Sequence, residues 1–347
     1  MSDYGRCPIR ANPDADERIP LPARPTRTAA LAALLVLASA GAGTADAVQV
    51  GRGTPASCTS AAVVAAVARG GVVTFDCGPA PVTIRMRRTA KVRNTNPSLV
   101  LDGGGRVTLS GQGRRRILYQ NTCDRAQVWT TDHCQNQATP RLVVKNLTFA
   151  AGNATGQRVD GGGGGAIFVR GGRLTIVGSR FTGNRCDRTG PDVGGAAVRA
   201  LSQFRGIPVR VVRSTFTGGR CANGGALSSI GVSWTITDSR FAGNRATGRG
   251  ANPSRAGAPG GGSGGAIYLD GNRFTLTLQR SVIERNTAPE GGGAIFFVSN
   301  DRTGTATLVA STLRRNRSLR FETPGLPGIF FLGARPPRIT GGTTITR

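Results

Sequence analysis

Apolar and polar residues alternate through most of this chain, and the alternation recurs in six segments that align on one apolar position. Apolar residues stand seven and five positions before this anchor, usually with a threonine between them. A period of two residues is that of a β-strand, and no helical spacing recurs in these segments. The anchors are Phe149, Phe181, Phe216, Phe241, Ile283 and Leu313.

A second repeat, Gly-Gly-Ala, interleaves with the anchors. Its alanines are Ala166, Ala196, Ala226, Ala266 and Ala294, at separations of 30, 30, 40 and 28 residues. Like residues at like positions predict parallel strands that stack in register, about 4.8 Å apart. A column just after the anchors should pass amide hydrogen bonds from coil to coil. It consists of Asn153, Asn184, Asn244, Asn286 and Asn316.

The repeat pattern predicts an all-β, right-handed parallel β-helix over 72–347. A propeller blade would require antiparallel hairpins, and a leucine-rich repeat would require its regular leucine spacing. The Phe-x-x-Asn and Gly-Gly-Ala segments between Leu142 and Asn316 resemble the polymorphic outer membrane protein repeat of the pectate-lyase-like superfamily. The resemblance implies the same fold. It implies little about activity, because that superfamily includes lyases, hydrolases, adhesins and structural stalks.

The N-terminal part of the chain follows a different pattern. We predict a secretory signal peptide over 1–47, with an apolar run and cleavage after Ala47. The apolar run is shorter than the ~20 residues that a membrane-spanning helix needs. Residues 48–71 are predicted to form a capping region, in which Thr59 to Arg69 is a short helix. Such caps cover the exposed core at the end of a solenoid.

Seven cysteines are present, and Cys7 lies in the predicted signal peptide, which leaves an even number in the mature chain. An even number suits an oxidising compartment. Cys186 and Cys221 each follow an anchor by five residues, so we place them on adjacent coils, within disulfide distance. Local spacing predicts the pairs Cys58–Cys77 and Cys123–Cys134. The spacing gives no support for a zinc site, and we expect no bound cofactor.

The formal net charge is +27, and nearly all of the positive charge is arginine, since lysine occurs only as Lys91 and Lys145. One explanation is a polyanionic partner. The other is a coding bias that places arginine wherever a soluble surface is needed. We favour the second, because no dense basic run is interleaved with aromatic residues, which also argues against specific nucleic-acid binding. Either explanation predicts salt-sensitive adsorption to anionic polymers.

Lyases of the resembled superfamily use clustered carboxylates to hold calcium and an arginine or lysine to take a proton. If the chain is an enzyme, its catalytic candidates are therefore Asp160, Asp192 and Arg199, and calcium is expected only in that case. Turn residues that bond backbone amides are the simpler explanation of both aspartates. The only histidine, His133, lies in a loop over 121–140 that a disulfide closes, which favours a structural role. Further acidic candidates are Asp270, Glu290 and Asp301.

Phe168, Tyr268 and Phe296 share one position, two residues after the repeat alanine. If the preceding residues point inward, these rings point outward and form a carbohydrate-binding platform; in the opposite phase they belong to the core. The sequence leaves both orientations open. The insertion Gly248–Gly262 contains no apolar residue larger than alanine and proline, so we expect it not to order itself. It is either a ligand-binding loop or a tolerated expansion.

These patterns together predict a monomer that is secreted or extracellular. The predicted location includes association with the cell surface. Its expected role is binding or structural, on an anionic extracellular or cell-wall polysaccharide, with no transmembrane segment in the mature chain. The alternative is a secreted polysaccharide lyase or glycoside hydrolase that acts on acidic polysaccharide. A hydrolase needs two carboxylates about 5–9.5 Å apart, and no sequence motif marks such a pair.

Overall fold

The computed structural model describes residues 47–127 and 133–347, so nearly all of the predicted signal peptide and part of the His133 loop lie outside the described residues. The described chain is mostly β-strand, with one α-helix, α1 (Ser60–Arg69). Short 3-10 turns lie at Pro55–Ser57, Arg125–Gln127, Cys134–Asn136, Val159–Gly161 and Phe204–Gly206.

Most strands are short, except for two of 13 and 10 residues, Ser98–Ser110 and Arg141–Ala150. The first fifteen are β1 (Ala47–Val50), β2 (Gly71–Phe75), β3 (Val82–Arg85), β4 (Ala90–Lys91), β5 (Ser98–Ser110), β6 (Leu118–Asn121), β7 (Arg141–Ala150), β8 (Ile167–Arg170), β9 (Arg173–Val177), β10 (Arg180–Thr182), β11 (Val198–Leu201), β12 (Val209–Val212), β13 (Thr215–Thr217), β14 (Arg220–Cys221) and β15 (Leu227–Ile230). The others are β16 (Trp234–Thr237), β17 (Arg240–Ala242), β18 (Arg245–Ala246), β19 (Ile267–Gly271), β20 (Thr275–Gln279), β21 (Val282–Glu284), β22 (Thr287–Ala288), β23 (Ile295–Ser299), β24 (Thr305–Val309), β25 (Thr312–Arg314), β26 (Arg317–Ser318), β27 (Ile329–Leu332), β28 (Arg338–Thr340) and β29 (Thr344–Thr346).

The strands form three sheets, of seventeen, eight and four strands, in which every pairing between the strands named above is parallel. Successive coils contribute one strand after another to each sheet. In the eight-stranded sheet the order is β4, β6, β8, β11, β15, β19, β23 and β27. In the four-stranded sheet it is β14, β18, β22 and β26. This arrangement is consistent with a solenoid-like fold, as the repeat spacing predicts.

The predicted register is confirmed at the anchors. Phe181 pairs with Phe149 on one side and with Phe216 on the other, and Phe216 pairs with Phe241. Their rings stack in the core with centroids 5.1, 4.6 and 4.7 Å apart. Stacked rings of this kind contribute beyond the area that they bury. The main core cluster therefore contains a continuous column of equivalent side chains.

The amide hydrogen bonds of the asparagine column are confirmed between Asn244 and Asn316. Asn184 lies in the same register column, but the next coil carries Gly219 there, and the Asn184 amide donates to the Phe149 carbonyl instead. The amide of Asn244 donates to Asn286 at 3.0 Å, and the amide of Asn286 donates to Asn316 at 2.9 Å. Asn153 is not part of this column, because it pairs with Arg185, one residue beyond Asn184. The prediction fails there because Asn153 stands four residues after its anchor, whereas the other members stand three after theirs.

The predicted helix is present as α1, which begins after Thr59 and ends at Gly70. The Thr59 hydroxyl accepts a hydrogen bond from the Ala62 amide at 3.2 Å, and Gly70 adopts a φ of 83° that favours glycine. The helix buries Val63 and Val67 completely against the core. Its role as a cap over the end of the solenoid stays a prediction.

All three predicted disulfides are present. The Cα atoms of Cys58 and Cys77 are 5.7 Å apart, and those of Cys123 and Cys134 are 4.9 Å apart. The pair Cys186–Cys221 joins adjacent coils across a Cα distance of 4.8 Å. Such bonds persist in oxidising compartments, so they suggest an extracellular environment.

The insertion Gly248–Gly262 is more ordered than its composition predicts. Two isolated antiparallel bridges, Arg249–Gly260 and Ala251–Gly261, close it on itself. Side chains then tie it to the body, since Asn252 bonds Asp192 at 2.9 Å. The expectation was wrong because it counted only apolar burial, whereas backbone pairing and polar contacts hold this segment.

Candidate functional site

A groove of about 930 Å³ lies along the four-stranded sheet and the turns that flank it. Six arginines contribute to its lining: Arg185, Arg188, Arg220, Arg245, Arg249 and Arg320. One carboxylate, Glu290, and no aromatic ring occur among the described lining residues. We call this surface the arginine groove.

Three of these arginines stand in register on successive coils and form what we call the arginine ladder (Arg185, Arg220 and Arg245). Arg185 pairs with Arg220, and Arg220 pairs with Arg245. The same column continues through Thr287 to Arg317. Adjacent members are therefore separated by one strand spacing, about 4.8 Å at the backbone.

The sequence places these side chains on the outer surface by simple alternation. Each arginine follows the buried position of the asparagine column and precedes a buried Cys186, Cys221 or Ala246. The disulfide between the two cysteines ties the backbones of Arg185 and Arg220 together. The buried neighbours thus set the outward direction of the three arginines, and the disulfide holds two of them on adjacent coils.

The ladder arginines have no carboxylate partner among the described residues. Arg185 donates to the carbonyl oxygen of Gly113 at 2.5 Å, which leaves its charge uncompensated. Like charges at directly paired strand positions destabilise a sheet. An anion bound along the groove would remove that repulsion, so the arrangement resembles a preformed binding surface.

Glu290 occupies one side of the groove and is buried. Its Oε1 atom accepts hydrogen bonds from the Gly250 amide and from Arg255 Nη2, both at 2.9 Å. Its Oε2 atom lies 3.6 Å from Arg320 Nε. The carboxylate therefore holds the insertion Gly248–Gly262 beside the groove.

The other arginines of the same repeats are paired where a carboxylate is present. Glu284 on β21 accepts from Arg240, from Arg285 at 3.2 Å and from Arg314 at 2.9 Å. Burial alone would raise the pKa of Glu284, but the hydrogen bonds from Arg240 and Arg314 bring it below its usual value. Arg240, Arg285 and Arg314 thus share one carboxylate, whereas the ladder arginines have none in the described part of the chain.

The predicted aromatic platform is not exposed. Phe168, Tyr268 and Phe296 lie in one register position of the eight-stranded sheet, as predicted, but only 0%, 0% and 5% of their surfaces are exposed. Ile167 and Ile267, which precede two of them, belong to the main core cluster, whereas these rings do not. Insertions from neighbouring coils cover the outer side of this sheet. Residues that point toward the core and residues that point away from it are therefore both buried. We call this surface the covered face.

Asp160, the first catalytic candidate, belongs to a polar network on the covered face. It is paired with Arg170, and its Oδ2 accepts from the Asn121 amide at 2.8 Å. The same amide donates to the hydroxyl of Tyr119 at 2.9 Å. The Tyr119 hydroxyl donates to Asp124 at 3.0 Å, and burial raises the pKa of this phenol, so it stays protonated.

Asp192 belongs to a second network of the same design. Asn252 donates to Asp192 at 2.9 Å and to the hydroxyl of Tyr268 at 3.3 Å. The Tyr268 hydroxyl donates to Asp270 at 3.1 Å. Burial, and then the charge of Asp270, raises the pKa of Tyr268. Both networks anchor insertions over buried tyrosines, which is a structural task.

Arg199, the third candidate, is 1% exposed and donates to Ser228 Oγ at 2.5 Å. The three candidates thus lie in three different sets of contacts. Arg116 is a further buried cation that the sequence did not single out. It donates to the Gly163 and Gly164 carbonyls and lies 4.9 Å from the centroid of the Phe168 ring. Burial lowers its pKa to about 10.

Within 47–127 and 133–347, no group of three or more His, Cys, Asp or Glu side chains is placed to hold a metal ion. No helix in that part of the chain is long and apolar enough to cross a membrane. Comparisons with protein-family models, with curated proteins and with solved structures found no match for the chain. The arginine groove is therefore judged on its geometry alone.

The groove was not predicted from the sequence, although the repeat contains a signal for it. Arg185, Arg220, Arg245 and Arg317 each stand four residues after an anchor. The repeat alignment that placed the cysteines also places these arginines. The total arginine content does not reveal the column, because the signal lies in the distribution of arginine over the repeat positions.

Proposed function

We propose that the chain is a secreted right-handed parallel β-helix protein that binds an acidic extracellular polysaccharide along the arginine groove. The observation that carries this proposal is the arginine ladder, three exposed guanidinium groups in register without a described carboxylate partner. A random excess of arginine would scatter over the repeat positions. Alignment in one column on a groove is what a linear polyanion requires.

The handedness and the superfamily are part of the proposal. Each coil returns the chain to the same sheet as a parallel strand, and such crossovers are right-handed in about 98% of cases. The Gly-Gly-Ala repeats support membership of the pectate-lyase-like superfamily. The three disulfides support secretion.

The composition of the groove favours a glycan over nucleic acid. Single-stranded nucleic acids are bound by basic surfaces on which aromatic side chains stack the bases. The described lining of the groove has no aromatic ring. Guanidinium groups bind carboxylates in a bidentate manner, which suits a polymer that carries one carboxylate on each sugar. We therefore commit to a polyuronate as the ligand class.

The alternative, cleavage of an acidic polysaccharide, has weaker support. A hydrolase requires two carboxylates that flank the scissile bond. The described groove offers Glu290, which is engaged by Gly250 and Arg255. Asp160 and Asp192 lie on the covered face in other networks. Retention of the polymer without cleavage is the role that we propose.

Binding of polygalacturonate tests the proposal, with methyl-esterified polymer and duplex DNA as comparisons. The variant Arg185→Gln/Arg220→Gln/Arg245→Gln removes the ladder, and Arg210→Gln/Arg273→Gln/Arg338→Gln removes the same charge from other exposed positions. We expect the ladder variant to bind polygalacturonate about tenfold more weakly, because each exposed pair contributes up to about 1 kcal/mol. The control variant should change affinity less than twofold.

Three results would overturn the proposal. Equal affinity of the ladder variant and the control variant for polygalacturonate would show that the groove is not the binding site. Equal binding of the esterified polymer would show that charge is not recognised. Release of short oligomers from polygalacturonate, assayed with and without calcium, would replace the binding role by the enzymatic alternative.

A further inference from the structure

A second basic pocket, of about 610 Å³, lies near α1 at the N-terminal end of the described chain. Its lining includes five basic side chains: Arg87, Arg88, Lys91, Arg93 and Arg115. No carboxylate and no aromatic ring occur among the described lining residues. Like the arginine groove, the pocket is lined by several basic side chains and by no described aromatic ring, but it lacks a counterpart of Glu290. We call it the N-terminal basic pocket.

Hydrogen bonds join the linings of the two surfaces directly. The carbonyl oxygen of Arg115, in the N-terminal basic pocket, accepts from the amide of Asn153, in the arginine groove, at 2.9 Å. Two residues before Arg115, the carbonyl oxygen of Gly113 accepts from Asn153 Nδ2 at 2.9 Å and from Arg185 Nη2 at 2.5 Å. The exposed Arg114 lies between these contacts. The two surfaces are therefore neighbours on consecutive coils.

The combined surface follows the stacking direction of the coils. Successive coils carry Arg87, Arg115, Asn153, Arg185, Arg220, Arg245, Thr287 and Arg317. With about 4.8 Å between coils, the surface is roughly 34 Å long. Among its described lining residues, eleven are basic and one, Glu290, is acidic.

We propose that the N-terminal basic pocket and the arginine groove form one continuous track, and that a single polyuronate chain lies along it parallel to the stacking direction. This inference rests on the proposed function, and it adds a second subsite, the orientation of the ligand and a length requirement. A chain held in the groove presents its next segment to the pocket at high effective concentration. Affinity therefore rises with the length of the chain until the track is filled.

Galacturonate oligomers of defined length test this proposal. A tetramer is shorter than the track, whereas a dodecamer can reach both subsites. The variant Arg87→Gln/Arg88→Gln/Arg93→Gln removes three exposed charges from the pocket without touching the groove. We expect it to weaken dodecamer binding about tenfold and tetramer binding less than twofold. The ladder variant should weaken the binding of both oligomers.

The outcomes separate the two proposals. If the pocket variant binds the dodecamer as tightly as the unmodified protein does, the track is wrong and the groove stands alone. An equal loss for tetramer and dodecamer would also overturn the track, because it would show no dependence on length. If the ladder variant keeps full affinity for both oligomers, the proposed function itself fails. Melting temperatures of all variants establish that the compared proteins are folded.

Discussion

The covered face and the arginine groove are built from the same repeats but differ in what lies over them. On the covered face, side chains that point away from the core are buried beneath insertions, and Tyr119 and Tyr268 each bond an asparagine and an aspartate. In the groove, the equivalent outward side chains are exposed arginines. The position of a residue in the repeat therefore determines the direction of its side chain, whereas the insertions determine whether that side chain is exposed.

The pairing of charge differs in the same way. Arg170 is paired with Asp160 at the covered face, and three arginines share Glu284 elsewhere on the surface. The ladder arginines have no such described partner. A protein with so large a net positive charge could leave unpaired arginines anywhere. The proposal therefore rests on the alignment of three of them in one register column of the groove.

Replacement of Tyr268 by alanine should give the largest effect and should act on stability alone. The ring is fully buried and stacks on Phe296 at 4.9 Å, so its loss should cost about 3–5 kcal/mol of unfolding free energy. Urea unfolding measures this cost. Tyr268→Phe, which removes only the hydroxyl bonded to Asp270, should cost about 1 kcal/mol. A change below that level for Tyr268→Ala would show that the face is not packed as described.

The disulfide beneath the ladder should affect both stability and binding. Cys186→Ser/Cys221→Ser should lower the unfolding free energy by about 2–4 kcal/mol and should weaken polygalacturonate binding, since Arg185 and Arg220 lose their covalent tie. Cys123→Ser/Cys134→Ser is the matched control outside the groove. It should lower stability but leave affinity unchanged. Equal effects of the two variants on affinity would contradict the special position of Cys186.

The ion pairs between Glu284 and its arginine partners should weaken in acid. The pH dependence of the unfolding free energy measures this loss. Because the pKa of Glu284 is lower in the folded protein, its contribution is complete above the ordinary carboxylate pKa and is lost as the pH falls through the lowered value. Glu284→Gln should cost about 1 kcal/mol at pH 7, a modest value because its partners are half exposed. The variant should then lose less stability than the unmodified protein between pH 5 and about pH 3. A constant difference across this range would contradict the assignment.

Much of the fold could be predicted from the sequence because a parallel stack repeats its local environment. The register of the anchors, the asparagine column from Asn244 onward and the pair Cys186–Cys221 all follow from one alignment. The same alignment puts serines two residues before most anchors. Ser239 and Ser281 illustrate this, since the Ser239 amide donates to Ser281 Oγ at 3.0 Å, as expected of equivalent positions. The prediction that Asn153 belongs to the asparagine column was wrong because one extra residue shifts it into the next column.

The covered face could not be predicted from strand alternation. Alternation indicates that Phe168 and Tyr268 point away from the core, but it does not indicate what an insertion elsewhere in the chain places above them. Asn252 reaches Tyr268 from the insertion Gly248–Gly262, whose composition predicts no order. These contacts are polar and join residues that are distant in sequence, so hydrophobic periodicity does not predict them. The arginine column can be seen in the repeat alignment. Only the structure shows that these side chains are exposed and have no described carboxylate partner.

Chemical modification of arginine, followed by peptide mass spectrometry, shows whether a bound polymer covers the arginine ladder. Phenylglyoxal reacts with accessible guanidinium groups and is added to the protein with and without saturating polygalacturonate. We expect Arg185, Arg220 and Arg245 to react in the free protein and to be protected by the polymer. Arg116 and Arg199, which are 3% and 1% exposed, should react in neither state. Ladder arginines that stay fully reactive under saturating polymer would contradict the account.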